Sequence, residues 1–218
     1  MLQNRVPAVP KIQNKINLED ACLNGLPLID FLFEENHRTE QPYSQIKLPG
    51  AGTGTVYGPL SDFNNLTVGE FEEAEQFYYQ FGENPTHECL ANLAAILYRP
   101  ENTPYFTYDQ YKGKYIAYDT AGLLPAFMKK KPWELYTIFI WYVGCKNEMP
   151  KIFPTVHEGG TTNGTPDPMV FTKCIHSDTN PKNGTREQIR TMMLKEYFFD
   201  MEMQAIKAKE LKEEYGKR

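Results

Sequence analysis

Hydrophobic and polar positions fall into blocks with distinct periods. The clearest is 67–81, where Phe71, Ala74, Phe77, Tyr78 and Phe81 recur at three- and four-residue spacing, the mark of a helix with one buried face. Thr67 and Glu70 form a Thr-x-x-Glu capping box at its start, and Glu70, Glu72 and Glu73 load the first turn, where the helix dipole favours anions. Gly82 and Pro85 end it. Residues 86–98 (THECLANLAAILY) are apolar on nearly every side, which predicts a buried helix, stopped by Arg99-Pro100. Pro132 stands where a first helical residue belongs, and Trp133 to Gly144 read as a third apolar helix. Phe71, Phe77, Leu93, Leu97, Phe139 and Trp141 are the expected core.

The period shortens elsewhere. Residues 46–60 read as a strand, a glycine-rich turn and a second strand, and 105–118 alternate about a Lys112-Gly113 turn, which predicts a β-hairpin. Residues 120–129 read as a short helix closing in Lys129, Lys130 and Lys131, a solvated end that the dipole favours. On the flanks, 1–20 are polar and broken by Pro7 and Pro10, 21–33 form a short apolar patch, and 34–45 are polar again. Residues 146–185 contain five prolines and two Asn-Gly-Thr triplets and read as an extended excursion lying on another surface. From 186 to 215 a loose apolar stripe runs among balanced charges, the pattern of a helix. The expected fold is therefore α+β, mainly α. An extended arm covers 1–45, a helical core domain with a hairpin covers 46–145, an extended Pro-rich loop covers 146–185 and a C-terminal helix covers 186–218.

Composition narrows the function classes. Over 218 residues the apolar share is 41% and the mean hydropathy −0.55, enough for one core with much surface or arm. A net charge of −5 argues against a general nucleic-acid binder held by phosphate contacts. The longest apolar stretch, Leu135 to Val143, is far short of a membrane span, and residues 1–20 hold no apolar leader core, so a soluble chain is expected. Cys22, Cys89, Cys145 and Cys174 fit neither a disulfide framework nor a zinc ribbon and read as reduced thiols. The Asn-x-Thr triplets at Asn65, Asn163 and Asn183 read as turns. Fourteen tyrosines suit interfaces as well as cores, or reflect biased composition. From Leu60 to Leu90 there are seven acids and no Lys or Arg, which reads either as a surface that steers subunits together or as a solvated helix face.

Candidate chemistry is thin. His87-x-Cys89 and Cys174-x-His176 carry zinc-ligand types, but a one-residue gap on a helix sets two side chains about 200° apart. His157 and Glu158 could pair in a loop, though an extended loop holds groups too loosely for catalysis. Glu72 and Glu73 are neighbours on a helix and point apart. The glycines at 50, 52, 54 and 58 lack the Gly-Lys-Ser/Thr of a phosphate loop, and Tyr57-Gly58-Pro59 follows instead of a helix. No catalytic, cofactor-binding or metal residue is assigned, and no cofactor is expected.

The run PLSDFNNLTVGEFEEAEQFYY followed by NLAAILYRPE resembles a block of small structural proteins of tailed phages of Bacteroidetes hosts, including the crAss-like group. In that block Leu-Thr-x-Gly-Glu-Phe opens a helix and a Leu-Tyr-Arg-Pro end closes the next. The resemblance spans about 40 residues and implies a neck, tail or tail-assembly protein without catalytic residues. The expectation is a non-enzymatic virion component, a ring in the neck or tail near the head-to-tail connector. Its partners would be copies of itself and neighbouring neck, tail or portal proteins, with no membrane, and assembly would take place in the host cytoplasm. A tail-assembly chaperone absent from the virion is the first alternative, and a metal-dependent or hydrolytic enzyme using His157 or His87 the second. Arm residues Ile12, Ile16, Phe153 and Phe171 would then bury more area between chains than within one.

Overall fold

The computed structural model describes residues 38–48, 54–158, 169–179 and 184–216. They form an α+β, mainly α fold with two small antiparallel hairpins. Strands β1 (Gln45–Leu48) and β2 (Gly54–Tyr57) make the first hairpin, with Ile46 opposite Val56. Helix α1 (Val68–Glu83) follows, capped as its sequence demands: the Thr67 hydroxyl accepts from the Glu70 amide, and the Glu70 carboxylate accepts from the Thr67 amide at 2.8 Å. Helix α2 (His87–Leu97) starts at Thr86, whose hydroxyl accepts from the Cys89 amide. Leu93, Ala94 and Leu97 on α2 are wholly buried. Strands β3 (Phe106–Asp109) and β4 (Lys114–Ala117) form the second hairpin, and Gly113 takes the left-handed φ of +61° that its turn requires. A one-turn 3₁₀ helix at 120–122 and the short α3 (Leu124–Phe127) occupy the region expected to be one helix, because Asp119 caps the first turn separately.

Helix α4 (Pro132–Ile152) is the longest element of the core. It crosses the boundary expected at 145, since Pro150 lies in its last turn, where only one hydrogen bond is lost, and Met149 and Phe153 hold that end in the core. The reading of 146–185 as an extended excursion is corrected accordingly. Helix α5 (Pro154–His157) and helix α6 (Val170–Asp178) fall inside it, while 159–168 and 180–183 lie outside the described residues. Proline misled because it also starts helices: Pro132 and Pro154 both sit at first positions, where the missing N–H costs nothing. The C-terminal stretch is likewise two helices, α7 (Arg186–Thr191) and α8 (Leu194–Gly216). Between them the chain is extended, and it is tied to the start of α1 by Val68 N–H to Met192 O and Leu194 N–H to Leu66 O.

The core lies between α1, α2 and α4. Of the six residues expected there, Phe71, Leu93, Leu97, Phe139 and Trp141 are buried, while Phe77 is half-buried. Phe63, Phe71, Trp141 and Tyr142 form its aromatic centre, with ring centroids 5.3–5.9 Å apart. Phe171 of α6 joins through Phe71 at 4.9 Å, and Phe153 stacks on Phe198 of α8 at 5.6 Å. Phe153 is therefore buried within its own chain, which overturns the expectation that it waits for a neighbour. Ile12 and Ile16 lie outside the described residues.

Before β1 the chain crosses α4 as a strap. A methyl group at Gly144 would collide with the backbone of Arg38, and the Trp141 indole N–H donates to Thr39 O at 2.9 Å. Glycine at 144 is what lets the strap lie this close.

Candidate functional site

Most acids of α1 are turned away from water, Glu83 at its exposed end excepted. Glu70, Glu72 and Glu75 are buried, and each meets a cation from a distant part of the chain. Glu70 binds Arg99, which follows α2. Glu72 takes Arg186 Nη2 and Arg190 Nε, each at 2.8 Å. Arg190 also reaches Glu73 at 2.6 Å, so the two adjacent carboxylates share one guanidinium although their side chains diverge from the helix. The Tyr105 hydroxyl donates to Glu73. Glu75 accepts from Lys146 at 2.8 Å and from the Tyr142 hydroxyl at 2.8 Å, and the Lys146 ammonium sits 3.6 Å from the centre of the Tyr78 ring. Burial pushes the Glu70 carboxyl above its ordinary value, against the pull of Arg99 and Thr67. Burial and the neighbouring carboxylate push the Tyr142 hydroxyl well up, so it stays a donor.

This arrangement is a clamp. It fastens the Arg99 segment, α4 and α7 to a single helix, and a buried carboxylate with a fixed cation is not free to exchange protons with a substrate. The acidic stretch is thus neither a steering surface nor a solvated face where it is densest. The residues that carry the sequence resemblance do structural work here. Thr67 and Glu70 cap α1, Gly69 makes room for the Phe106 ring, and the Tyr98 hydroxyl donates to Tyr43 O at 2.8 Å.

The remaining candidates stay apart. His87 Nε2 lies 3.2 Å from Met128 O, and Cys89 is used in the Thr86 cap. Cys174 and His176 sit on α6, and no group of three or more possible metal ligands occurs among the described residues. His157 Nδ1 is 2.8 Å from Phe153 O and its ring stacks on Phe198, while Glu158 pairs with Lys209. The carboxylate of Glu202 closes the same corner by accepting from the Thr155 and Val156 amides at 2.9 and 2.8 Å. His157 and Glu158 therefore join α5 to α8 rather than to each other. Burial pushes the Cys145 thiol up to about 12, which leaves it inert at neutral pH.

What the fold presents outward is surface. Every side chain from Lys207 to Tyr215 on α8 is exposed, including Leu211 and Tyr215, and Phe199 and Met203 further back on the helix are exposed as well. The β3–β4 hairpin exposes Tyr108, Tyr111 and Ile116. Trp133 is 54% exposed beneath Lys131, next to Lys129 and Lys130. Grooves of about 630 and 130 Å³ lie beside the strap along α4. No helix among the described residues is long and apolar enough to cross a membrane. No protein-family model, curated protein or solved structure matches the chain.

Proposed function

We propose that the chain is a non-enzymatic assembly subunit, a ring component of the neck or tail of a tailed-phage virion. The observation that carries the assembly part is the outer half of α8. A helical stretch of about 13 Å in which every side chain is exposed, and whose Lys209 meets the domain through a surface pair with Glu158, buries no apolar face there, and Leu211 and Tyr215 on it, with Phe199 and Met203 further back on α8, offer apolar contacts. The aromatic hairpin β3–β4 adds a second such surface, and tyrosine suits it because the ring is apolar and the hydroxyl stays wet. The phage setting rests on the resemblance of the 60–100 block alone. Two earlier supports are gone, since the dense acids of α1 are paired internally and the described part of 146–185 packs on its own domain. A contact between different surfaces of successive copies closes into a ring when the rotation between them closes.

The test is the mass of the purified full chain in solution as a function of concentration. The proposal expects a discrete multiple of 25.2 kDa that breaks down when Leu211 and Tyr215 are changed to Ser. A single chain at every concentration up to the millimolar range contradicts the ring. Absence from purified particles would instead favour the tail-assembly chaperone.

A further inference from the structure

We propose that the outer edge of β1 is a docking site for an extended protein segment in which carboxylates alternate with apolar side chains. The argument starts from the ladder. Gly58 N–H donates to Ser44 O, which makes 44 and 58 a hydrogen-bonded pair. In an antiparallel ladder such pairs alternate, so 46 with 56 and 48 with 54 also bond inward, and 45 and 47 turn their N–H and C=O groups outward. The other side of the hairpin obeys the same parity: Tyr57, opposite Gln45, points its N–H and C=O away from β1 and exchanges both with Arg99. The β2 edge is thereby closed. Among the described residues no backbone group pairs with Gln45 or Lys47 on the β1 edge.

That edge borders a groove of about 130 Å³ whose other wall is the start of α4. Lys47 and Lys130 flank it, and Leu135 and Ile138 lie beneath; Lys129 and Lys131, the chain neighbours of Lys130, are exposed, with the Lys131 ammonium over the Trp133 ring. The one carboxylate in the groove, Glu134, is occupied by Lys130 at 3.7 Å and by the Lys131 amide at 3.1 Å. Two lysines against one engaged glutamate leave the groove net cationic, although the whole chain is net negative. Outward donors and acceptors at every second residue fit a peptide backbone, and the flanking cations select carboxylates from it. Lone lysines often merely guard an open edge against unwanted pairing, and the experiment separates these two roles.

The probe is a fluorescent Glu-Val-Glu-Val-Glu-Val peptide titrated into the full chain, with Lys-Val-Lys-Val-Lys-Val as its charge-reversed counterpart. Saturable binding of the acidic peptide only is expected. The pair Lys47→Glu and Lys130→Glu should weaken it about tenfold or more. Lys47→Pro should do so as well, because it removes one outward N–H while leaving every inward ladder bond in place. Amide exchange on the unmodified chain provides a readout that needs no variant: the peptide should protect Gln45 and Lys47 and leave the amides of 46 and 48 unchanged. No saturable binding, equal binding of the basic peptide, indifference to Lys47→Pro in a folded variant, or protection confined to other residues would each overturn the proposal.

Discussion

Helix α1 carries Glu70, Glu72, Glu73 and Glu75 with no Lys or Arg of its own, whereas α8 from Lys207 to Glu214 carries three lysines and three glutamates. By sign alone, α1 looks like the surface that must meet another molecule and α8 like a self-contained helix. The fold reverses this. Glu70, Glu72 and Glu75 collect Arg99, Lys146, Arg186 and Arg190 and become part of the interior, while the balanced stretch of α8 is exposed and meets the domain through the surface pair Lys209–Glu158. The difference lies in what surrounds each charge. The α1 carboxylates are interleaved with Phe71, Ala74 and Tyr78, so burying the apolar face carries them inward, and inward they require partners. Around Leu211 the apolar residues are too few to bury a face against the domain, and the charges stay exposed, Lys209 included although it pairs with Glu158.

The largest effect should come from removing one side of the clamp. Glu70→Ala leaves the mostly covered Arg99 guanidinium without its counterion and should cost about 3–5 kcal/mol in chemical denaturation. A loss under about 1 kcal/mol would mean that the α1 acids are solvated after all. Leu93→Ala, in the helix on which α1 packs, should cost about 2–5 kcal/mol through lost transfer energy and a cavity. Thr67→Ala removes the cap alone and should cost about 0.5–2 kcal/mol.

A pH series sharpens the contrast further. Burial raises the folded carboxyl of Glu70 above 4.5, so the folded state holds that proton more tightly than the unfolded state. The corresponding stability is present below 4.5 and is lost as pH rises through the folded value. Relative to the native chain, Glu70→Gln should gain stability as pH rises over that window, and a flat difference would contradict the burial. At the small end, Glu210→Ala on α8 should change the stability of the isolated chain by no more than about 0.5 kcal/mol.

Local features were legible in the residues. The Thr67–Glu70 box, the Lys112-Gly113 hairpin and the apolar α2 are each set within a few neighbours, and each stands where periodicity and turn chemistry put it. The clamp was not legible, because Arg99, Lys146, Arg186 and Arg190 lie 29, 71, 114 and 117 residues from the carboxylates they bind. One signal was available: four acids among large apolar residues, without cations one helical turn away, must find counterions elsewhere. The prolines of 146–185 were ambiguous for a different reason, since the same residue that breaks a helix interior opens a helix at its first position. The strap on α4 left only Gly144 as a trace in the sequence, and a small residue in an apolar helix has many other uses.

The contrast between α1 and α8, and the assembly reading that rests on it, meet in one measurement. Backbone amide exchange should be followed on the full chain at a concentration where it is a monomer and again where the larger species forms. The account predicts slow exchange across 68–83 in both states, and fast exchange across 207–215 that slows in the larger species. Slow exchange at 207–215 in the monomer, or fast exchange there in both states, would contradict it.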